Sequence, residues 1–194
     1  MTPAGVVFLD RDGVITREVF YPSSGEWEAP MQPGDLELLP GALEALVALT
    51  RAGWPLAVVS NQAAFAKGKV ALASLLRVHE VFVELLARGG VQLADAFYSY
   101  SHPEGVVPGF SGPSLERKPG HLFLVLGAAR HGWDLGRSWM VGDRDSDVEA
   151  GLRAGCRTVQ LANPRAGSKA GSSSPHFRAN TLTEASDIIL RHGG

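Results

Sequence analysis

The chain has 194 residues, of which 45% are hydrophobic and 20% are charged, and its formal net charge is −2 at pH 7. This size suits one well-buried domain and is short for two, so we predict a single domain over residues 1–194. The balanced charge gives no reason to expect nucleic acid or an anionic membrane as a partner. The lone cysteine, Cys156, excludes an intrachain disulfide framework and a multi-cysteine metal site, and we expect it to be a small buried side chain.

The sequence shows no targeting or membrane segment. No basic region precedes a long apolar run near residue 1, and no stretch approaches the roughly 18 apolar residues of a membrane span. We therefore expect a cytoplasmic location, and we expect the protein to be a monomer.

Short apolar runs alternate with amphipathic segments, and this alternation predicts a doubly wound, mostly parallel α/β sheet. The runs that predict strands cover residues 6–9, 54–59, 96–100, 139–141, 158–161 and 176–178. The helical patterns cover residues 42–52, 72–88, 121–131, a segment that ends near 155, and 183–191. Stretches rich in Gly, Pro and Ser predict long loops at 16–35, 99–118 and 162–175, the last of them flexible.

The first predicted strand runs directly into two carboxylates, Asp10 and Asp12, which are followed by Gly13. Open α/β sheets bind ligands at the carboxyl ends of their strands, so both side chains are expected in a cleft, and Gly13 allows the sharp turn. Two acids this close repel each other unless a divalent cation or a shared proton relieves the repulsion. An isolated Asp-x-Asp-Gly is also a common turn, so its meaning depends on residues further along the chain.

Further polar residues are predicted at the same edge of the sheet: Ser60, Asn61, Lys118, Asp143 and Asp147. Carboxylates without an accompanying thiol or histidine cluster favour Mg²⁺ over Zn²⁺, with Asp10 and Asp143 as ligands. The cation, Lys118 and the Ser60 hydroxyl would neutralise a phosphate group. Asp10 could then attack phosphorus, while Asp12 protonates the leaving oxygen and later deprotonates the attacking water.

The order and spacing of these residues resemble the haloacid dehalogenase superfamily of phosphohydrolases across nearly the whole chain. The motifs that carry the resemblance are Asp10-Arg11-Asp12-Gly13, Ser60-Asn61-Gln62, His102-Pro103-Glu104-Gly105, Arg117-Lys118-Pro119-Gly120 and Gly142-Asp143. They look like the branch that contains heptose bisphosphate phosphatases and histidinol-phosphate phosphatases. The resemblance implies a Rossmann-like fold of the haloacid dehalogenase type. No large cap domain is inserted into this chain, so loops alone would gate the cleft.

The resemblance also implies roles for individual residues. Asp10 would be the nucleophile and a magnesium ligand, Asp12 the acid/base and a ligand through its carbonyl, and Asp143 a further ligand. Ser60 and Lys118 would hold the reacting phosphate. Arg117 is expected both in the catalytic set and on the substrate. The other residues expected on the substrate or at the edge of the metal site are Tyr21, Asn61, Gln62, Lys67, Arg144 and Asp147.

One departure from the family concerns a structural zinc. Members of this branch carry Cys-x-His and Cys-x-Cys in the loop before Arg-Lys-Pro, whereas the matching positions here are Ser99, Ser101, Ser114 and Glu116. These oxygen side chains are weak zinc ligands, so no structural zinc is expected. Loop 16–35 is also longer than the family pattern, which leaves the identity of the substrate open.

The leading hypothesis is a phosphatase of carbohydrate metabolism, in heptose biosynthesis, that removes the 7-phosphate of a D-glycero-D-manno-heptose 1,7-bisphosphate. Histidinol phosphate or another small metabolite is the alternative substrate. Two other classes are a non-catalytic sugar-phosphate-binding homologue and a nucleic-acid 3'-phosphatase. The intact acids count against the first of these, and the balanced charge counts against the second.

Overall fold

The structure, a computed structural model, describes residues 4–163 and 173–193. The strands are β1 (Val7–Leu9), β2 (Val19–Tyr21), β3 (Glu26–Glu28), β4 (Leu56–Asn61), β5 (Asp95–Ser99), β6 (Trp139–Gly142), β7 (Arg157–Leu161) and β8 (Phe177–Ala179). The helices are α1 (Ala42–Arg51), α2 (Leu72–Arg88), α3 (Leu122–His131), α4 (Asp145–Ala154) and α5 (Leu182–His192), with short 3-10 turns at Pro33–Asp35 and Leu135–Arg137.

Six of these strands form one parallel sheet in the order β5-β4-β1-β6-β7-β8. The strand β1 lies near the centre, where Leu9 pairs with Val58 of β4 and with Val141 of β6. Because every pairing is parallel, the carboxyl ends of all six strands meet at one edge of the sheet. The predicted fold class, a doubly wound parallel α/β sheet, is confirmed.

Alternate residues of the first apolar run pack on opposite faces of the sheet. Val7 and Leu9 belong to a core that includes residues of α1, α2 and α5. Val6 and Phe8 belong to a second core, which contains Leu124 of α3 and the buried Cys156. Helices thus cover both faces, and a continuous apolar run is what a strand buried on two faces requires.

The loop predicted at 16–35 contains regular structure that its composition did not reveal. Within it, β2 and β3 pair as an antiparallel hairpin. Phe20 and Trp27 are register partners in this hairpin, and their ring centroids lie 5.6 Å apart. Lys69 adds ion pairs to both glutamates of β3. Cross-strand aromatic and charged contacts of this kind stabilise a short hairpin, and they join residues that a composition window treats separately.

Smaller differences concern element ends and helix faces. The strand β4 reaches Asn61, so Ser60 lies within the strand rather than after it. The helix α2 has the predicted bounds, and two of its apolar side chains, Leu76 and Val83, are exposed at 46% and 36%. A narrower stripe is sufficient to anchor the helix, and its buried residues are Leu75, Val78, Phe82 and Leu86. Residues 164–172 of the predicted loop 162–175 lie outside the described part of the chain.

Across residues 4–163 and 173–193, none of the helices combines the length and the apolar character needed to cross a membrane.

Candidate active site

Six polar side chains converge at the carboxyl edge of the sheet, and each belongs to a residue that is less than 8% exposed. They come from the segments after β1 and β6, from the end of β4, from the segment before α3 and from the start of α4: Asp10, Asp12, Ser60, Lys118, Asp143 and Asp147. Burying four carboxyl groups and one ammonium group is unfavourable unless they pair with each other or with a ligand. The structure therefore brings together the residues in which the sequence predicted chemistry.

Lys118 is the cation of this cluster. Its Nζ lies 3.0 Å from Oδ1 of Asp10 and 2.7 Å from Oδ1 of Asp147, and it donates to the Val59 carbonyl at 2.6 Å. Burial lowers the pKa of Lys118, but the two carboxylates outweigh it and raise that pKa above its ordinary value. The side-chain amide of Asn61 fixes the Lys118 backbone, because it donates to the carbonyl and accepts from the N–H, each at 3.0 Å. Asn61, predicted to contact substrate, is thus occupied in holding the lysine.

One lysine does not balance the acids around it. Asp10, Asp143 and Asp147 each offer a carboxylate oxygen, and these oxygens all lie within 4.8 Å of one another. Burial raises the pKa of Asp10 to about 6, although Lys118 opposes the shift. Burial, followed by the charges of Asp10 and Asp147, raises the pKa of Asp143 to about 8. The cluster has more negative charge than its surroundings stabilise, and a cation or protons would relieve it.

The surroundings of Asp143 fit a magnesium ion. Its Oδ2 accepts a hydrogen bond from Nδ2 of Asn163 at 2.5 Å, whereas its buried Oδ1 has no hydrogen-bond partner among the described residues. Gly13 adopts a φ of +85° directly against this carboxylate, and a methyl group there would overlap it. Asp147 is less available, because Lys118 occupies one of its oxygens and the other accepts from the Arg144 N–H at 3.0 Å. Hard carboxylate oxygens in a site of this kind suit Mg²⁺.

Asp12 is held on both of its oxygens. Its Oδ1 accepts from Nε of Arg11 at 3.0 Å and from the Thr16 hydroxyl at 2.9 Å. Its Oδ2 accepts from Nε2 of Gln62 at 2.6 Å, and the Ser60 hydroxyl lies 3.5 Å away. Gln62 was predicted to contact substrate, but it is buried and its amide nitrogen also donates to the Ser60 hydroxyl at 3.0 Å. Its contacts in the structure are with catalytic candidates.

Positive side chains lie near one another outside this buried cluster. Burial lowers the pKa of Arg117, and the positive charge of Arg144 lowers it further. Burial, then Arg117 and Lys67, lowers the pKa of His102. Arg144 is more than half exposed and donates from Nη2 to Oε1 of the buried Glu18 at 2.6 Å. We call Lys67, Arg117 and Arg144 the cationic rim.

Tyr21, also predicted to contact substrate, has a different neighbourhood. Its hydroxyl donates to Oδ2 of Asp35 at 2.5 Å and accepts from the Met31 N–H at 2.8 Å. These contacts brace the segment after the β2–β3 hairpin. The structure does not bring the Tyr21 hydroxyl into the acidic cluster.

The four positions that match the zinc ligands of the resembling family carry oxygen side chains, and the buried Ser99 hydroxyl has no hydrogen-bond partner among the described residues. The Ser101 hydroxyl lies 3.4 Å from Oε1 of Glu116, and the Ser114 hydroxyl accepts from the Arg117 N–H at 3.3 Å. Arg117 also donates from Nη1 to the Ser101 carbonyl at 3.1 Å. Ser99 is buried at the end of β5. The loop is therefore linked by hydrogen bonds between its two ends, and Arg117 takes part in them.

Known proteins are similar to this chain over most of its length. A family model described as HAD-hydrolase-like matches residues 115–185. The D-glycero-D-manno-heptose-1,7-bisphosphate 7-phosphatase of Thermosynechococcus vestitus is 35% identical, over 98% of this chain and 97% of that protein. The chain belongs to the haloacid dehalogenase-like phosphatases. The D-glycero-beta-D-manno-heptose-1,7-bisphosphate 7-phosphatase of Mesorhizobium japonicum is 33% identical, over 94% of this chain and 78% of that phosphatase.

A solved structure of a phosphatase from the same family bears on the metal. The D,D-heptose 1,7-bisphosphate phosphatase of B. bronchiseptica, complexed with magnesium and phosphate, matches with a TM-score of 0.80 and 26% identity. The match covers 96% of this chain and 98% of that one. The acidic cluster could hold a metal ion, and a structural relative contains magnesium.

Three residues at the site received no role from the sequence. Glu18 and Asn163 lie outside every recognised motif, and only the folded chain shows that they contact Arg144 and Asp143. Arg11 stands inside the Asp-x-Asp motif, so its position was a signal. Its complete burial, however, follows from packing against β5 and could not be read locally.

Proposed function

We propose that this phosphatase is a magnesium-dependent phosphomonoesterase that acts through an aspartyl-phosphate on Asp10. The observation that carries the proposal is the buried contact between Asp10 and Lys118, with Asp143 in the same cluster and Asp12 two residues along the chain. A carboxylate nucleophile needs its charge kept available and the charge of the phosphate offset. This cluster supplies both from residues at the carboxyl edge of the sheet.

Lys118 and Ser60 would bind the phosphate. The ammonium group of Lys118 lies against Asp10, so it would also contact a phosphoryl oxygen placed for attack by that carboxylate. Asp10 and Asp143, with the Asp12 carbonyl, would hold Mg²⁺, which would supply further positive charge where negative charge develops. Asn61 would keep Lys118 in place through its paired backbone hydrogen bonds.

Two chemical steps complete the reaction. In the first, an Asp10 oxygen forms a bond to phosphorus as the bond to the leaving oxygen breaks, and Asp12 gives that oxygen a proton. In the second, Asp12 takes a proton from a water molecule whose oxygen attacks phosphorus. The Asp10–phosphorus bond then breaks, releasing inorganic phosphate and the free carboxylate.

The cationic rim supports a substrate with a second anionic group. Arg117 and Arg144 lie close enough for one to lower the pKa of the other, and a distal phosphate would relieve this repulsion. A guanidinium group binds phosphate through two parallel hydrogen bonds. We therefore propose the reaction named for the relatives, removal of the 7-phosphate from a D-glycero-D-manno-heptose 1,7-bisphosphate, with the 1-phosphate at Arg117. The opposed charges of a histidinol phosphate suit this rim less well.

The test measures phosphate release from a panel of substrates with Mg²⁺ and again with excess EDTA. The panel contains the heptose 1,7-bisphosphate, the corresponding monophosphate, histidinol phosphate and a 3'-phosphorylated oligonucleotide. We expect the bisphosphate to have the highest kcat/KM and EDTA to abolish turnover. Borohydride reduction of acid-quenched protein should convert residue 10 to homoserine, which mass spectrometry detects. Turnover in EDTA, or a quenched protein without modification at Asp10 during steady turnover, would contradict the mechanism.

A further inference from the structure

The arginine between Asp10 and Asp12 in the sequence is fully buried and contacts both carboxylates. Arg11 is 1% exposed, and its backbone N–H donates to Oδ1 of Asp10 at 2.7 Å. Its guanidinium group forms an ion pair with Asp12, and its Nη2 is buried without a hydrogen-bond partner among the residues that the structure describes. Burying a charge and leaving one of its donors unpaired is unfavourable. An apolar side chain would fill this space with less loss of folding stability, so the charge indicates a functional role.

The contacts of the Asp12 carboxylate indicate what the Arg11 charge does. Arg11 and Thr16 both donate to Oδ1, at 3.0 and 2.9 Å, and two good donors engage both acceptor positions of that oxygen. The other oxygen, Oδ2, faces Gln62 and the more distant Ser60 hydroxyl. Ser60 is also the residue expected on the phosphate. Of the two Asp12 oxygens, Oδ2 is therefore the one on the side of Ser60, where the phosphate is expected.

An aromatic ring supports the guanidinium group from its other side. The Arg11 Cζ lies 5.4 Å from the ring centroid of Tyr98 on β5, which is a cation–π distance. The Tyr98 hydroxyl is hydrogen-bonded to Nδ1 of His79 on α2 at 3.0 Å. These contacts connect Asp12 to two elements that carry no catalytic candidate. They restrict the guanidinium plane, and so they restrict the carboxylate attached to it.

We propose that Arg11, supported by the Tyr98 ring, is a positioning residue that holds Oδ1 of Asp12 and presents Oδ2 for proton transfer. The inference rests on the proposed acid/base function of Asp12. Loss of the Arg11 contact leaves the nucleophile Asp10 and its partner Lys118 in place. It frees the Asp12 carboxylate to rotate, so that the proton is less often aimed at the leaving oxygen.

The test uses the dependence of kcat/KM on the leaving group, because alkyl phosphates need a proton on departure and p-nitrophenyl phosphate needs little help. The ratio kcat/KM reports the steps up to the aspartyl-phosphate, whereas kcat also includes its hydrolysis, in which Asp12 acts as a base with either substrate. Arg11→Met removes the charge and keeps the length of the side chain. We expect it to lower kcat/KM on the sugar phosphate by about 30–100-fold and on p-nitrophenyl phosphate by less than about 5-fold. Arg11→Lys, which keeps a charge, should recover part of the loss on the sugar phosphate only. Asp12→Asn serves as the reference for a missing acid.

Two changes at Tyr98 form a matched pair. Tyr98→Phe keeps the ring and removes the link to His79, so its kcat/KM on both substrates should stay within about 3-fold of the unmodified protein. Tyr98→Leu removes the ring and should show the leaving-group pattern of Arg11→Met. If Arg11→Met does not fold, the positioning role is tested with the other two variants. Arg11→Lys keeps a positive charge at position 11, and Tyr98→Leu keeps Arg11 itself.

The outcomes separate this inference from the proposed function. If the unmodified protein releases no phosphate, or if Asp12→Asn lowers kcat/KM equally on both substrates, the proposed function fails. If Asp12→Asn shows the leaving-group pattern but the Arg11 and Tyr98→Leu variants are unchanged or lose equally on both substrates, only the positioning role is overturned.

Discussion

The buried cluster and the cationic rim differ in how firmly their charges are fixed. In the cluster, Lys118 and Asp12 are each held by at least three partners, and every member is nearly inaccessible to solvent. In the rim, the Arg144 side chain is more than half exposed, although its guanidinium group pairs with the buried Glu18. Preorganised charges suit a transition state of fixed geometry, whereas exposed charges adapt to the shape of a substrate. We infer that the cluster determines whether a phosphate reacts and that the rim determines which phosphate enters.

The largest effect should follow from changing the nucleophile inside the cluster. We expect Asp10→Asn to lower kcat by at least about 10³-fold on every substrate, because the neutral amide is a poor nucleophile. The measurement is steady-state phosphate release, with substrate binding followed separately by calorimetry. Asp145→Asn is the control, since Asp145 lies at the start of α4, outside the buried cluster, and accepts hydrogen bonds from Gln160 and Ser173. Full turnover by the Asp10→Asn protein would show that the buried cluster does not determine whether a phosphate reacts.

A change in the rim should act on one substrate and not on another. Arg117→Ala is expected to lower kcat/KM for the heptose bisphosphate by about 10–100-fold and to change that for a monophosphate by less than about 3-fold. The reason is that only the bisphosphate offers a distal group for the guanidinium fork. Arg77→Ala, at an exposed site on α2, provides the control. An equal loss on both substrates would assign Arg117 to the reacting phosphate, and so to the cluster.

Sequence reasoning succeeded where neighbouring residues determine the structure and failed where distant ones do. The strand ends that carry Asp10 and Asp143 were predicted because each follows an apolar run directly. The role of Gln62 was not, because its contact with Asp12 depends on how β4 packs beside β1. The hairpin inside loop 16–35 was missed for the same reason, since its strands are short and cross-strand contacts stabilise them. Charge and burial in the site are thus properties of the folded chain.

The excess of acid in the cluster predicts a pH dependence of stability. The pKa of Asp143 is raised to about 8, mainly by burial, from an ordinary value of 3.8. Between these values the folded protein holds a proton that the unfolded chain has lost. The metal-free protein should therefore become less stable as pH rises from about 4 to about 8. Mg²⁺ would replace the proton, so its stabilising effect should grow over the same range.

The measurement is the melting temperature with and without Mg²⁺ at pH 5.5 and at pH 8. We expect the increase caused by Mg²⁺ to be at least about 3 °C larger at pH 8. Asp143→Asn, which has no proton to lose, should flatten both the pH dependence and the response to Mg²⁺. The same Mg²⁺ response at the two pH values in the unmodified protein would argue against a metal at this carboxylate.

The smallest effect is expected at the loop that holds Arg117 in the rim. Its ends are linked by oxygen contacts of Ser101, Ser114 and Glu116, and neutral hydroxyls are weak replacements for thiolate and imidazole ligands. Packing adds to these contacts, since the rings of Phe65 and Phe110 pack edge to face with their centroids 4.9 Å apart. We therefore expect elemental analysis to find much less than one zinc per chain, and a zinc-selective chelator to move the melting temperature by less than about 1 °C in magnesium buffer.

Ser114→Ala, which deletes one of the oxygen contacts, should lower the melting temperature slightly and raise KM for the bisphosphate, because the Ser114 hydroxyl accepts from the Arg117 N–H. One tightly bound zinc per chain, with unfolding on its removal, would show that a metal and not this hydrogen-bonded closure fixes the rim.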